Sequence, residues 1–218
     1  MKKQRAFSLI ELLVVMAIIA IIAGITIPAF THLGKAQSLT SAGASLLDQL
    51  ALARQTAVSQ NRVVEVRFYQ RLEDPTQPAN ATGNPARFRS FRTMVYDEQV
   101  NNAFAQTTMQ NFPTRVVLCE DKTFSTLICS YHDHVPSRDV KKQIETLSSN
   151  EKDVPYQYIR FKPTGGTDLS ITGTPAPVDK WFLTLKSDND VATSTRPANN
   201  YYTIMLDPVS GRARTYRP

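Results

Sequence analysis

The sequence predicts an α+β protein in which a long amino-terminal helix packs on an antiparallel β-sheet head. The helix is predicted by an uncharged apolar run of 19 residues, 12–30, which leads into an amphipathic stretch that ends near Gln60. The head is predicted by a change of the apolar period from 3.6 to 2 after Asn61. From there to the carboxyl end, strand-like runs alternate with Pro- and Gly-containing turns.

The apolar run has the length and charge pattern of a membrane span. At 1.5 Å per residue, about 20 residues cross a hydrocarbon core about 30 Å thick, and residues 7–27 provide that length. Lys2, Lys3 and Arg5 precede the run with no acid among them. Because cationic residues stay on the cytoplasmic side, we expect a single pass with the amino terminus in the cytoplasm and the head exported.

One acidic residue, Glu11, lies four residues inside the membrane-length segment 7–27. An ionised carboxylate at membrane depth costs about 2.5 kcal/mol or more, so the residue is expected to have a partner. A cleaved secretory signal peptide and a plain signal anchor are the alternatives. A signal peptide needs a shorter apolar core and a small-residue cleavage site after it, which this sequence does not offer.

The stretch Lys2 to Phe30 resembles the class III signal of type IV prepilins and type II secretion pseudopilins. The resemblance lies in the basic leader, the small Ala6, the run Phe-Ser-Leu-Ile-Glu-Leu-Leu-Val-Val that starts at Phe7, and a proline about twenty residues later. It implies that a prepilin peptidase cleaves between Ala6 and Phe7 and that the new amino group of Phe7 is methylated. Most family members have Gly where this chain has Ala6.

The same resemblance implies a partner for Glu11 and a division of the chain into four segments. In the family, this acid neutralises the Phe amino group of a neighbouring subunit during assembly. The implied organisation is a leader over 1–6, a transmembrane and assembly helix over 7–30, an amphipathic continuation over 31–60 and a β-rich head over 61–218.

The basic composition is partly a property of the leader. The formal net charge is +6 and the pI is about 9.4. Removing the three cations of the leader lowers the charge to about +3, so the pI is weak evidence for a nucleic-acid partner. The exported part has the size of one domain with its own core.

The second half of the helix has an apolar stripe on one side. Pro28 is expected to kink the helix or melt it locally, because proline removes a backbone donor and clashes with the preceding turn. The stripe is expected to pack under the head, whereas Arg54 and Asp48 fall elsewhere on the helix. The stripe consists of Leu39, Leu46, Leu50, Ala53 and Ala57.

Strands are predicted along the head wherever apolar residues alternate. Val64, Val66 and Phe68 are expected to face the core, with Glu65 and Arg67 on the other side. Residues 101–111 are uninformative, and 140–147 has the pattern of a short helix. The other predicted strands cover residues 88–96, 115–119, 156–162, 181–186, 201–206 and 212–216.

Two turns in the carboxyl-terminal part carry a second, weaker resemblance. One is Pro163-Thr164-Gly165-Gly166, and the other is the segment Asp207 to Gly211, which ends in Ser-Gly followed by Arg-Ala-Arg. The strand ending in Phe-Lys-Pro-Thr-Gly-Gly and this last hairpin are similar to the head of the GspH/FimT branch of pseudopilins and minor pilins. Residues 36–70 fit the same branch and also resemble the prepilin-like D proteins of a verrucomicrobial four-gene cassette.

Two cysteines, Cys119 and Cys129, lie ten residues apart in the exported part. An even count in an oxidising compartment favours a disulfide, which would stabilise the head by about 2–3 kcal/mol. Two buried free thiols are the alternative.

No enzyme, cofactor or metal site is predicted. The cluster His132-Asp133-His134 has too few ligands for a metal and reads as a solvated loop. The sequence has no nucleophile elbow, P-loop or dinucleotide fingerprint.

The last strand offers a candidate nucleic-acid surface. Period 2 places Arg212, Arg214 and Tyr216 on one face, and Arg217 adds charge at the end. Together they would hold phosphates and stack on a base. In FimT-like minor pilins, a Gly-Arg-x-Arg element near the end is associated with DNA capture, and this chain matches it from Gly211. An ordinary edge-strand face is the alternative.

Two functions are therefore expected. The first is a structural subunit, processed by a prepilin peptidase, held in the inner membrane and assembled with other pilin-like subunits into a type IV pilus or a type II secretion pseudopilus. The second is a DNA-binding minor pilin that acts in DNA uptake.

Overall fold

A computed structural model describes the backbone of most of the chain, in two compact units that cover Met1–Ser38 and Leu39–Pro218. The boundary between the units falls inside the predicted amphipathic segment. The side chains of residues 24–33, 35 and 129 are outside the description. The described residues are 8–74, 76, 85–97, 99–100, 102–121, 123–129, 143–148, 151–169, 181–190 and 196–217.

The first element is one long helix, α1, which spans Leu9–Gln60. It is helical without a break through Pro28, so the predicted local melting is wrong. A proline removes one backbone hydrogen bond, whereas the turns on either side keep theirs. The predicted kink stays a prediction.

Ten strands and one short helix follow in the described part of the chain. The short helix, α2, spans Thr126–Cys129. The strands are β1 (Val63–Arg71), β2 (Arg87–Asp97), β3 (Asn102–Ala105), β4 (Gln110–Asn111), β5 (Val116–Leu118), β6 (Gln143–Glu145), β7 (Val154–Phe161), β8 (Trp181–Ser187), β9 (Tyr201–Leu206) and β10 (Ala213–Tyr216).

The strands form two antiparallel sheets. Sheet A has six strands in the order β3-β2-β1-β7-β6, with β4 also paired to β2. Sheet B has four strands in the order β10-β9-β8-β5. The α+β class predicted from the sequence is confirmed.

One hydrophobic core joins α1 to both sheets. The predicted helix stripe is buried from Leu39 to Ala57, and Val64, Val66 and Phe68 of β1 face it as predicted. Sheet B contributes Trp181, which is fully buried. Burial of such side chains contributes about 1.5–3 kcal/mol each, so this core supplies much of the driving force for folding of the second unit.

Gly43 lets sheet B approach the helix closely. A β-carbon at Gly43 would lie 2.4 Å from the ring of Tyr202 on β9. The glycine therefore acts in packing, where the sequence alone marks it as a possible helix breaker.

The second face of β1 is buried as well, whereas the alternation predicted only one buried face. Glu65 is 1% exposed and Arg67 is 9% exposed. Glu65 accepts hydrogen bonds from Arg67 Nε at 2.5 Å and from Arg160 Nε at 2.9 Å. The Arg160 guanidinium lies 3.8 Å from the centre of the Tyr96 ring. These pairings compensate the cost of burying the charges.

Strand β6 completes this buried polar face. Glu145 accepts hydrogen bonds from Arg67 Nη1 and from the Tyr69 hydroxyl, both at 2.7 Å, and it also pairs with Arg92. We call the group Glu65, Arg67, Tyr69, Arg92, Glu145 and Arg160 the sheet A polar cluster. Within the stretch that has the pattern of a short helix, Gln143–Glu145 form strand β6, and pairing with β7 brings Glu145 to these arginines.

Candidate functional site

The start of α1 is capped by its own sequence. The backbone N–H of Ser8 donates to Glu11 Oε2 at 2.9 Å. Ser8 and Glu11 have the S-x-x-E spacing of a capping box, in which the acid three residues into the helix reaches back to the first orphan donor. Glu11 also lies in the first turn, where the helix dipole favours a negative charge. Ala6 and Phe7 lie outside the described residues.

The first turns of α1 expose apolar side chains on all sides. Large apolar side chains from Leu9 to Ile22 are between 48% and 82% exposed. A continuous surface of this kind marks an interaction with other protein or with lipid. When only the described residues are considered, none of the helices combines the length and apolarity that crossing a membrane requires.

Strand β10 presents the predicted carboxyl-terminal residues at the edge of sheet B. Arg212, Arg214 and Tyr216 are exposed, whereas Ala213 packs against the core. The period of two along a strand places Arg212, Arg214 and Tyr216 on the face opposite Ala213, although Thr215 on the Ala213 side is exposed as well. Arg217 follows the strand and donates from Nη1 to Thr40 Oγ1 of α1 at 2.5 Å.

Arg54 of α1 ties the two carboxyl-terminal turns together. Its Nε donates to Gly165 O at 3.1 Å and to Ser210 O at 2.7 Å. The turns also bond directly, since Thr167 N donates to Pro208 O at 2.9 Å. The two segments that carry the second resemblance therefore form one structure, which we call the paired turns, residues 163–167 and 207–211.

Glycines make the paired turns possible. Gly165 and Gly211 have φ values of 85° and 64°, in the left-handed region that favours glycine. A β-carbon at Gly166 would lie 2.6 Å from Val209 O. The predicted turn chemistry is confirmed for Gly165, and the close approach of Gly166 explains the second glycine of the pair.

Asp207 adds a negative charge beside the arginines of β10. Its carboxylate accepts hydrogen bonds from the Ser210 hydroxyl at 2.6 Å and from Val209 N at 3.0 Å. The Ser210 hydroxyl and the Val209 amide lower the pKa of Asp207, and Arg214 lowers it further. The carboxylate is thus ionised at neutral pH and is held by its own turn.

Sequence reasoning missed residues that position this surface. Arg54 was assigned to the polar side of the helix, but it lies half-buried at the border of the buried stripe. The signal available in the sequence is its position next to the buried Ala53 of the stripe. Met205 of β9 lies opposite Arg214, and its exposure of 38% was not anticipated.

The predicted disulfide is not formed in this structure. Cys119 is a buried free thiol, and burial raises its pKa. Its backbone N–H donates to Thr184 O at 2.7 Å, which fixes Cys119 at the end of β5 in the interior. The side chain of Cys129 is outside the description.

The cluster of possible metal ligands considered in the sequence analysis lies outside the described residues. It consists of His132, Asp133 and His134. Within the part of the chain that the structure describes, no three His, Cys, Asp or Glu side chains group so as to hold a metal ion.

Comparison with known proteins identifies the amino terminus. Residues 1–27 match the family model described as the prokaryotic N-terminal methylation motif. The first 27 residues of this chain are therefore similar to proteins that carry this motif. The motif covers the capped start of α1 and the exposed apolar turns that follow it.

Solved structures similar to this chain include the type IV minor pilin FimU of Pseudomonas aeruginosa PAO1 in two crystal forms. The P65 form has 14% identity and a TM-score of 0.42, over 82% of this chain and 92% of that chain. The P21 form has 13% identity and a TM-score of 0.42, over 84% and 89%. The comparison with curated protein sequences gives no match.

Proposed function

We propose that the chain is a pilin-like structural subunit that a prepilin peptidase processes between Ala6 and Phe7. The new amino group of Phe7 is then methylated, and the subunit waits in the inner membrane with its head in the periplasm. It is assembled into a type IV pilus or a type II secretion pseudopilus. The observation that carries this proposal is the N-terminal methylation motif over residues 1–27.

The exposed turns of α1 support the assembly step. In the described part of the chain, the large apolar side chains from Leu9 to Ile22 are between 48% and 82% exposed around the helix. Lipid covers such a surface before assembly, and neighbouring helices cover it in a filament. The same residues thus serve storage and polymerisation.

Glu11 supplies register in this scheme. One carboxylate oxygen, Oε2, accepts the Ser8 amide of its own chain. The negative charge remains available to the Phe7 amino group of the adjacent subunit, and an opposite charge of this kind compensates the cost of a carboxylate at membrane depth. A subunit that is out of register leaves both charges without a partner.

Mass analysis of the amino-terminal peptide tests the processing step. Protein extracted from membranes of cells with the prepilin peptidase should begin at a methylated Phe7, and protein from cells without the peptidase should keep residues 1–6. An amino terminus after residue 30 would instead indicate an ordinary cleaved signal peptide and would overturn the proposal.

Two substitutions of Glu11 separate its charge from its cap. Glu11→Gln keeps an oxygen acceptor for the Ser8 amide but loses the charge, whereas Glu11→Val loses both. Both variants should insert in the membrane and both should be depleted from sheared filaments. Normal incorporation of Glu11→Gln would show that the charge has no part in assembly.

A second candidate function is DNA binding by the outer face of β10. The observation that favours it is the joint exposure of Arg212, Arg214 and Tyr216 on one face, with Arg217 beside them. Exposed arginines bind phosphates and make the affinity depend on salt. In this case the subunit is a minor pilin that retains DNA for uptake.

The salt dependence of DNA retention tests the second candidate. Replacing Arg212 and Arg214 together by Ala should weaken binding and lower the slope of log K against log salt by about 1.4 to 1.8, since each phosphate contact contributes 0.7–0.9. Arg62→Ala, at an exposed arginine of the loop after α1, is the matched control. An unchanged slope in the double variant would refute DNA binding at β10.

A further inference from the structure

The outer face of sheet B is an apolar and aromatic surface bordered by arginines. Antiparallel pairing sets Phe182 of β8, Met205 of β9 and Arg214 of β10 side by side in one row. A second row contains Thr203 and Tyr216. Met205 is 38% exposed and Tyr216 is 68% exposed, so apolar area is open beside the charges.

The outer face of sheet B is buried near β5 and exposed near β10. Near β5, Ser125 Oγ accepts a hydrogen bond from Thr184 N, and Thr184 is buried. At the opposite side, β10 pairs only with β9 among the strands that the structure describes. The open region is therefore the part around Met205, Arg214 and Tyr216.

The charges of this region favour an anionic ligand. Arg212, Arg214 and Arg217 bring three positive charges, and Asp207 brings one negative charge that its own turn stabilises. Together, these four side chains therefore have an excess of two positive charges. A ligand that suits the region must combine negative charge with flat apolar groups.

We infer that this face binds single-stranded rather than duplex nucleic acid, with a base stacked on Tyr216 and its neighbour against Met205. The inference rests on the second candidate function and names its substrate class. Duplex DNA keeps its bases inside the stack and offers phosphates and groove edges to a flat protein face. Single strands offer whole base faces, which aromatic side chains on a sheet bind without sequence preference.

The geometry of β10 supports this assignment. Arg214 and Tyr216 lie at alternate positions of β10, about 6.6–6.8 Å apart, and Arg212 comes immediately before the strand. A single strand running beside β10 meets two guanidinium groups and then a ring. The paired turns fix the beginning of this strand, because Arg54 Nε holds Ser210 O two residues before Arg212.

Fluorescence anisotropy with labelled oligonucleotides tests the inference on the full chain in detergent. A 20-mer of thymidine and a random 20-base-pair duplex are the probes. We expect tighter binding of the single strand. Tyr216→Ala should weaken single-strand binding about 5- to 150-fold, the factor for about 1–3 kcal/mol of stacking per base, and should leave duplex binding within twofold.

Two controls test whether single-strand binding depends on the Tyr216 ring, rather than on the folding of the chain or on the charge of the ligand alone. Tyr216→Phe keeps the ring and should bind the single strand like the unmodified chain. Inorganic polyphosphate has charge without bases, so it should compete more weakly than single-stranded DNA of equal charge.

The outcomes distinguish this inference from the function on which it rests. If both probes bind equally and Tyr216→Ala weakens both alike, DNA binding stands and the single-strand preference is overturned. If polyphosphate competes as well as DNA, base contact is overturned. If neither probe binds, the second candidate function fails as a whole.

Discussion

Gly211 packs against the carbonyl oxygen of Gly165, so closely that a β-carbon on Gly211 would lie 2.3 Å from that oxygen. The contact joins two segments that are far apart in the sequence and places the last strand beside the turn after β7. The start of β10, and with it the exposed arginines, depends on this contact.

Replacing Gly211 by Ala should therefore be costly. The side chain meets a backbone oxygen and the residue has a φ of 64°, so the paired turns must move apart. We expect a loss of about 2–4 kcal/mol in the free energy of unfolding, measured by urea denaturation in detergent. Gly34→Ala is the control, because a β-carbon at Gly34 meets nothing within 4 Å. Equal stability of the two variants would contradict the role assigned to Gly211.

We expect that lysine cannot replace Arg54 in stabilising the paired turns. Its Nε donates to two carbonyl oxygens of different turns, and the guanidinium also lies close to Gly165 and Gly211. Arg54→Lys keeps the charge but loses this geometry. We expect both Arg54→Lys and Arg54→Met to lower stability by about 1–3 kcal/mol, because buried carbonyl groups lose their donor.

Hydrogen exchange locates the effect of these Arg54 variants. Amides of residues 163–167 and 207–211 should exchange faster in both, and those of β1 should not. Full protection of the paired turns in Arg54→Lys would mean that charge alone holds them.

The sheet A polar cluster should make stability depend on pH. Burial disfavours the Glu145 carboxylate, but the Tyr69 hydroxyl and Arg67 outweigh it and lower the pKa of Glu145. A lowered pKa means that the stabilisation is present above the ordinary Glu value, near 4.3, and is lost as the pH falls through the lowered value. Glu120 acts in the opposite sense, because burial raises its pKa.

Glu145→Gln isolates this contribution. At pH 7 the variant should be about 1–3 kcal/mol less stable, since Arg67, Arg92 and Tyr69 lose a charged acceptor. The difference from the unmodified chain should shrink as the pH falls below about 4. Glu73→Gln, at a more exposed partner of Arg89, should change stability by less than about 1 kcal/mol. A difference that does not vary with pH would exclude Glu145 as the titrating group.

Thiol labelling should find two free cysteines. With Cys119 as a buried thiol, iodoacetamide should react slowly with it in the folded chain and completely after unfolding without reductant. The raised pKa of Cys119 also slows the reaction, because the thiolate is the nucleophile. Unfolded chain that takes up no label without reductant would demonstrate the disulfide that the sequence predicts.

The local features of this chain were predictable, and the burial of polar residues was not. Val64, Val66 and Phe68 were predicted on the core side of β1 and lie there. Only one buried face was predicted, with Glu65 and Arg67 on the other side, because alternation along one strand indicates only which face is apolar. Their burial depends on Arg160 and Glu145, which come from strands far away in the sequence.

The candidate surface around β10 was likewise predicted only in part from the sequence. The exposure of Arg212, Arg214 and Tyr216 followed from the period of two within the last strand. The neighbours that give the face its apolar area, Met205 and Phe182, were not identified, since they depend on the pairing of β10 with β9 and of β9 with β8.

By itself, the sequence determined the amino terminus of this protein: the methylation motif, the capped start of α1 and the apolar turns after it are all local patterns. It also determined the turns, since Gly165 and Gly211 are needed for their backbone conformations. Only the tertiary structure decided that Arg54 joins the two turns, that the charges of sheet A are paired in the interior, and that Cys119 is a free thiol. The physical reason is that each of these depends on contacts between segments distant in the chain, whose partners no local pattern specifies.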